Sequence, residues 1–178
     1  MTPADIIGFW TEAGRAHWFA RDADFDADVQ ERFESLHHAA ARGELDYWAG
    51  SADGALALVL LLDQFPRNMF RGSAHAYATD PMARRIAEQA VARGFDRVVA
   101  ADLRQFFYLP FEHAENSADQ ARAIELCESM DDPQYVKWAL LHADIIARFG
   151  RFPHRNACLG RVTTPAEAAF LESGGFAG

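Results

Sequence analysis

Two short segments of the chain combine proline, arginine and asparagine in nearly the same order. Residues 65–68 read Phe-Pro-Arg-Asn and residues 152–156 read Phe-Pro-His-Arg-Asn, and each follows a strongly apolar run that is typical of a helix. Proline disfavours a helical conformation in the residue before it, so we expect the chain to leave each helix extended. Arginine and asparagine on rigid helix ends suit a carboxylate or a phosphate. The two segments therefore predict an anion-binding site, if they meet in space.

Neighbouring residues extend the predicted site. Asp63 lies in the last turn of its apolar helix, where the helix dipole disfavours a carboxylate and a buried one needs cationic or hydrogen-bonding partners. One interpretation is an ion pair that joins two helix ends; the other is the wall of a site for a charged ligand. The asparagines can equally bond the backbone of their own turns. The candidate ligand-binding residues are Asp63, Arg67, Asn68, Arg71, Arg151, His154, Arg155 and Asn156.

A second cluster of titratable residues follows an aromatic run. Residues 110–116 read Pro-Phe-Glu-His-Ala-Glu-Asn, directly after Phe-Phe-Tyr at residues 106–108. A carboxylate desolvated by aromatic rings is suited to proton transfer. Glu112 and His113 are therefore candidate catalytic acid–base residues. The alternative is that Glu112 pairs with an arginine and that Glu115 or Asn116 begins the next helix.

Other sequence patterns argue against most cofactor and metal sites. The chain has no phosphate-binding loop, dinucleotide-binding glycine pattern, His-Glu-x-x-His motif or nucleophile-elbow serine. A Glu-x-x-His pair suited to a di-metal bundle is found at residues 34–37 alone. His142 lies on an apolar stripe with Trp138 and Phe149, which is typical of a core histidine. We predict no cofactor and no metal, although a metal-assisted reaction would use His113, His142 or His154.

Composition excludes several classes of partner. The 178 residues are 50% hydrophobic and carry a net charge of −9, which disfavours binding to nucleic acid or to an anionic membrane. The longest apolar run, residues 55–62, is far shorter than the ~20 residues that cross a bilayer. The two cysteines lie in unrelated contexts, which argues against a framework of disulfide bonds. The first residues do not resemble a signal peptide. We therefore expect a cytoplasmic protein.

Helix signals dominate the chain. Residues 55–65 are apolar nearly all round, as in a central helix, and capping boxes are predicted at residues 117–120 and 164–167. No run alternates with the period of a strand. The sequence predicts a single all-α domain over residues 1–178, built from antiparallel helical hairpins.

Several motifs together resemble the bacterial family called DUF924. They are Trp-Phe at residues 18–19, the segment 33–37, Leu-Asp-Gln-Phe-Pro-Arg-Asn at 62–68, Leu-Pro-Phe-Glu-His at 109–113 and Phe-Gly-Arg-Phe-Pro-His-Arg-Asn at 149–156. The resemblance runs almost from end to end. It implies a tetratricopeptide-like, compact superhelical fold and no established activity.

Three functions agree with these observations. The first is binding, with or without chemical transformation, of a small anionic metabolite or an acidic peptide end by the paired helix ends. The second is a hydrolase or lyase that uses Glu112 or His113 as acid or base. The third is a protein–protein interaction adaptor, the common role of helical-repeat scaffolds. The sequence leaves open whether there is any reaction.

Overall fold

A computed structural model describes residues 1–176 of the chain. Over these residues the regular secondary structure is helical and contains no β-strand. The prediction of an all-α fold is confirmed. The tetratricopeptide-like arrangement stays a prediction.

The chain divides into two compact units. The first comprises residues 1–71 and 75–110, and the second comprises residues 72–74 and the chain from Phe111 onward. The single domain expected from the chain length stays a prediction.

The first unit is built around an apolar helix. Its helices are α1 Pro3–Ala13, α2 Arg15–Trp18, α3 Ala23–Ala41, α4 Ala52–Val59, α5 Phe65–Met69 and α6 Asp80–Ala92. Short 3₁₀ turns follow at Asp46–Gly50, Phe95–Arg97 and Arg104–Phe107. Every residue of α4 from Gly54 to Val59 is buried, and α4 packs against α1 and α6. The central position predicted for this apolar run is confirmed.

A close backbone contact fixes the start of α4. A Cβ atom on Gly54 would lie 2.0 Å from the carbonyl oxygen of Trp48. No side chain fits at that distance, so glycine is required where the Asp46–Gly50 turn meets the helix.

Within residues 1–176, the second unit contains three helices with N-terminal side-chain caps. Its helices are α8 Ser117–Glu128, α9 Pro133–Phe149 and α10 Pro165–Glu172, and α7 Leu109–Glu112 spans the boundary between the units. Thr164 and Glu167 form the capping box predicted for α10. The box predicted at residues 117–120 is wrong by one position, because Asn116 is the cap and accepts a hydrogen bond from Asp119 N at 2.9 Å.

Helix α9 also exposes apolar side chains. Trp138, Leu140 and Leu141 are 44%, 51% and 37% exposed. Among residues 1–176 no helix combines the length and the hydropathy that a bilayer crossing requires.

Candidate functional site

The first Phe-Pro segment continues a helix, contrary to the expectation that the chain leaves extended. Phe65 has helical angles, φ −60° and ψ −38°, and α5 runs through Pro66 to Met69. The preceding residues Leu60–Gln64 form a π-helical turn. A proline ring clashes with the carbonyl four residues earlier in an α-helix. The wider π turn relieves that clash, which is why Pro66 does not end the helix here.

Side chains take over the hydrogen bonds that Pro66 cannot make. Pro66 has no N–H to offer to Leu61 or Leu62, the carbonyls five and four residues before it. The Leu61 carbonyl accepts from His37 Nδ1 at 2.8 Å, and the Leu62 carbonyl accepts from Thr79 Oγ1 at 2.6 Å. Both donors are buried. The π turn is therefore held by residues from α3 and from the start of α6.

The buried Asp63 forms an ion cluster with the partly buried Arg67 and Asp80. The Arg67 guanidinium donates to both Asp80 carboxylate oxygens at 2.9 Å and lies 3.3 Å from Asp63 Oδ1. Gln64 Nε2 donates to Asp63 Oδ2 at 2.5 Å. Burial disfavours the charged guanidinium, but the charges of Asp63 and Asp80 outweigh it and raise the pKa of Arg67. This geometry matches the interpretation of Asp63 as part of an ion pair.

Asn68 and Arg71 converge on a carboxylate in the first turn of α3. Asn68 Nδ2 donates to Asp26 Oδ1 at 2.7 Å. Arg71 pairs with the same carboxylate through Nε and Nη2, and its Nη2 also donates to the Ala20 carbonyl at 3.0 Å. The predicted site residues of the first unit thus tie α5 to α3 and α6.

A hollow in the first unit lies elsewhere. It encloses about 320 Å³ and is lined by Phe9, Glu12, Ala13, His17, Phe25, Asp28 and Arg32. No residue singled out from the sequence as a site residue lines it.

The second Phe-Pro segment follows a true helix end. Gly150, at φ +68°, stops α9, and Phe152 is extended at φ −89° and ψ 110°. A 3₁₀ turn, Pro153–Arg155, comes next. The extended exit predicted from proline is confirmed here. The left-handed angle of Gly150 makes the difference, because it ends the helix before the proline is reached.

Arg151 and Asn156 secure the start of α10. Arg151 donates to both Glu167 carboxylate oxygens, from Nε at 2.6 Å and from Nη2 at 2.9 Å. Asn156 is fully buried, and its Nδ2 donates to Thr163 Oγ1 at 3.4 Å. The bonds from Arg151 and from the Thr164 backbone hold the pKa of Glu167 far below its usual range. Glu167 is thereby an internal counter-ion.

Sequence reasoning missed the pairing of Glu115 with Arg161. Arg161 donates to both Glu115 oxygens at 2.7 and 3.0 Å, and Phe152 N donates to Glu115 Oε1 at 2.8 Å. Burial opposes ionisation of Glu115, but these bonds and the charges of Arg161 and Arg155 outweigh it and lower the pKa. The pair anchors Phe152. Nothing local in the sequence signals a pairing across so many residues.

Glu112 forms a buried pair with His142. Glu112 Oε2 lies 3.5 Å from His142 Nδ1, and the residues are 3% and 7% exposed. His142 Nδ1 also lies 2.8 Å from the Trp138 carbonyl. A carbonyl can only accept, so Nδ1 carries the hydrogen and Nε2 of the neutral ring is the basic nitrogen. A core position for His142 was expected from the sequence; its carboxylate partner was not.

Cys127 lies on the other side of the same carboxylate. Its Sγ is 3.5 Å from Glu112 Oε1. Burial and then the charge of Glu112 raise the pKa of the thiol. A thiolate is needed for nucleophilic attack, so Cys127 is suited to packing and not to covalent catalysis.

His113 and His154 both lie near the His142 ring system. The His113 ring centroid is 6.3 Å from that of His142, and the Phe152 ring lies 5.6 Å from His142 and 5.7 Å from His154. The Arg155 guanidinium stacks 4.5 Å above the Phe152 ring. Four predicted site residues, Glu112, His113, His154 and Arg155, are thus gathered around His142 and Phe152. Among residues 1–176 no three His, Cys, Asp or Glu side chains are grouped to hold a metal ion.

Comparison with known proteins places the chain in a family. The model of the bacterial proteins of unknown function called DUF924 matches residues 6–175. The chain belongs to the DUF924 family. This DUF924 protein also resembles a solved structure from Agrobacterium tumefaciens, itself a protein of unknown function, at 55% sequence identity and a TM-score of 0.93. The similarity covers 96% of this chain and 97% of the other. The search of curated proteins found no match.

Proposed function

We propose that the second unit of this DUF924 protein binds a small anionic ligand beside the Glu112–His142 pair and exchanges a proton with it. The observation that carries the proposal is that buried pair. The Trp138 carbonyl fixes the tautomer of His142, and the Glu112 carboxylate 3.5 Å from Nδ1 stabilises the imidazolium once Nε2 has taken up a proton. That is the arrangement of an oriented general base.

The turn after α9 supplies the positive charge. Arg155 and His154 lie on it, and the guanidinium groups of Arg155 and Arg161 both act on the single carboxylate of Glu115. Two arginines facing one glutamate leave a positive charge for the anionic group of a ligand. Arg67, Arg71 and Arg151 donate to internal carboxylates, so they are better suited to holding the fold than to holding a ligand.

The chemistry follows from these positions. The ligand gives a proton to Nε2 of His142, Glu112 stabilises the resulting imidazolium, and Arg155 stabilises the negative charge that develops on the ligand. His113, half-buried beside His142, can relay the proton onward. Such steps belong to lyases, isomerases and hydrolases that act on small acids.

A thermal-shift screen with small carboxylates and phosphate monoesters tests the binding. A ligand at 100 times its dissociation constant stabilises by about 2.7 kcal/mol, which raises the melting temperature of a chain of this size by about 5–10 °C. We expect Arg155→Gln to abolish the shift. The control Arg122→Gln removes an exposed arginine that pairs with Glu125, and it leaves the shift intact. Equal shifts in both variants, or no shift with any compound, contradict the proposal.

Proton exchange is tested separately. Compounds that bind are incubated with the protein in D2O, and deuterium incorporation next to their acidic group is followed by NMR. We expect Glu112→Gln to keep binding and to lose exchange. Loss of both to the same degree would mean that Glu112 supports the fold and not the chemistry.

A second candidate function rests on the exposed face of α9. Trp138 and Leu141, three residues apart, lie on the same side of α9 and are both exposed, and a protein–protein adaptor would use such an apolar face. Trp138→Asp would then abolish chemical cross-linking to a partner protein. Val98→Asp alters a more exposed apolar residue of the first unit and would leave the cross-link in place.

A further inference from the structure

Phe176 packs against the same two histidines that contact Phe152. Its ring centroid lies 4.8 Å from that of His142 and 5.4 Å from that of His154, with both pairs edge to face. The two phenyl rings and the two imidazoles therefore form a group of four in which each phenyl contacts both histidines. Edge-to-face contact at 4.5–7 Å is the favoured geometry for such rings.

The two phenyl rings are held very differently. Phe152 is fully buried, and its backbone N–H is bonded to Glu115. Phe176 is half-buried and lies at the edge of the apolar cluster of Ile145, Ile146 and Phe152. Phe152 thus belongs to the core, whereas Phe176 covers it.

A two-glycine turn directs Phe176 onto the histidines. Gly174 has φ +81°, in the left-handed region that glycine favours. A Cβ on Gly175 would lie 2.5 Å from the Phe170 carbonyl oxygen and 2.6 Å from the Phe170 ring, and Gly175 N donates to that carbonyl at 3.0 Å. Glycines reverse the chain after α10 so that one aromatic side chain reaches His142.

We propose that the position of the Phe176 ring is the aromatic subsite of the ligand site, so that the ligand is an aromatic carboxylate or phosphate that displaces this ring. The inference rests on the proposed function and names the ligand class for the same site. A planar ring placed there would contact His142 and His154 edge to face, as Phe176 does. Its acidic group would then lie beside the cationic turn that bears His154 and Arg155.

Displacement explains how a ligand reaches a buried pair. Glu112 and His142 are almost completely buried, and Phe176 is a half-buried phenyl ring whose centroid lies 4.8 Å from that of His142. While the Phe176 ring occupies the subsite, a competing ring cannot bind there. The apparent affinity for that ring is therefore its intrinsic affinity multiplied by the fraction of molecules in which the subsite is open. Removing the Phe176 ring therefore strengthens the binding of small aromatic acids.

Calorimetric titration with phenylacetate tests this competition. We expect Phe176→Ala to bind phenylacetate at least about tenfold more tightly than the wild type, as for a subsite that is open in a tenth of the molecules or fewer. The matched control is Phe149→Ala, which removes a half-buried ring of the same cluster that contacts Phe170; it leaves the affinity unchanged. Cyclohexylacetate, with the same charge and no aromatic ring, gains less. The aromatic subsite is overturned if Phe176→Ala increases the affinity for phenylacetate and cyclohexylacetate equally. It is also overturned if the control variant increases the affinity for phenylacetate as much as Phe176→Ala does.

A further pair of measurements separates this inference from the proposed function. Adding Arg155→Gln to Phe176→Ala lowers phenylacetate affinity to that of uncharged benzyl alcohol if the anion site is correct. If the tighter binding persists, the aromatic subsite stands and the anion site fails. Small acids that bind the wild type, together with an unchanged phenylacetate affinity in Phe176→Ala, would support the anion site and contradict the aromatic subsite.

A wild-type experiment keeps the test valid if Phe176→Ala does not fold. Nuclear Overhauser effects between the Phe176 ring and the two imidazoles report the contact directly. We expect excess phenylacetate to abolish them and cyclohexylacetate to leave them in place. Persistence of these effects in a phenylacetate complex would overturn displacement.

Discussion

Replacing Thr79 by valine isolates the hydrogen bond that compensates for Pro66. The two side chains have nearly the same shape, so the change removes the Oγ1–H donor and leaves packing intact. The Leu62 carbonyl, in a residue with no exposed surface, loses the partner that Thr79 provides at 2.6 Å. An unsatisfied buried acceptor costs about 1–3 kcal/mol. We expect the free energy of unfolding of the first unit to fall by that amount.

The proline supplies the decisive second variant. Pro66→Ala restores a backbone N–H four residues after Leu62, and this N–H can satisfy the same carbonyl. Thr79→Val then lowers the free energy of unfolding less in the Pro66→Ala background than in the wild type. The difference between the two decreases is a coupling energy of about 0.5–3 kcal/mol.

Urea unfolding followed by tryptophan fluorescence measures each step. Trp10, Trp18 and Trp48 all belong to the first unit and are buried. Thr11→Val is the control: Thr11 Oγ1 donates to the Ile7 carbonyl at 2.7 Å on an exposed surface, where its loss stays within about 0.5 kcal/mol. An equal cost of Thr79→Val in both backgrounds would refute the role assigned to the π turn.

Three further predictions concern glycine packing and pH. Gly54→Ala destabilises the first unit by at least the 1–3 kcal/mol typical of overpacking, because its Cβ would meet the Trp48 carbonyl; Gly8→Ala, with nothing within 4 Å of the added Cβ, stabilises by about 0.5–1 kcal/mol in the same urea assay. Burial outweighs the bond to Leu61 and lowers the pKa of His37, so the unfolded state binds more protons and stability falls as pH drops below about 6.5; His37→Asn gives a flatter urea-midpoint profile there, and an unchanged slope would contradict this. The pKa of Glu115 is lowered, so its contribution is present above the unfolded value of about 4.3 and is lost as pH falls through the folded value; Glu115→Gln weakens the acid sensitivity of hydrogen exchange in α10, whereas the exposed control Glu125→Gln does not.

Local signals predicted the helices because their causes are local. Thr164, Pro165 and Glu167 form a cap within one turn, and the capping box appears where the sequence places it. The apolar run of α4 is buried on all sides, as a run without a polar face must be. These features depend on neighbours in sequence, so sequence alone reveals them.

The side-chain pairs of the second unit join residues that are distant in the sequence. The sequence marked Glu112 as a candidate, but its partner His142 looked like an ordinary residue of an apolar helix face. Their pairing needs α7 and α9 to meet, which no local pattern specifies. The pairing of Arg161 with Glu115 has the same origin. Tertiary contact decides which titratable groups face each other, and hence which of them can exchange protons.

The two Phe-Pro segments show how one local pattern can give two structures. At Phe152 the helix has already been ended by Gly150, so proline finds an extended residue before it and meets no conflict. At Phe65 the helix is still running, and the conflict with proline is resolved by the π turn and by donors from His37 and Thr79. The turn after α9 therefore leaves His154 and Arg155 beside the His142 ring system, whereas the segment in the first unit directs its arginine and asparagine into contacts with Asp80 and Asp26. In the function that we propose, this residue pattern contacts a ligand only where the chain has left the helix.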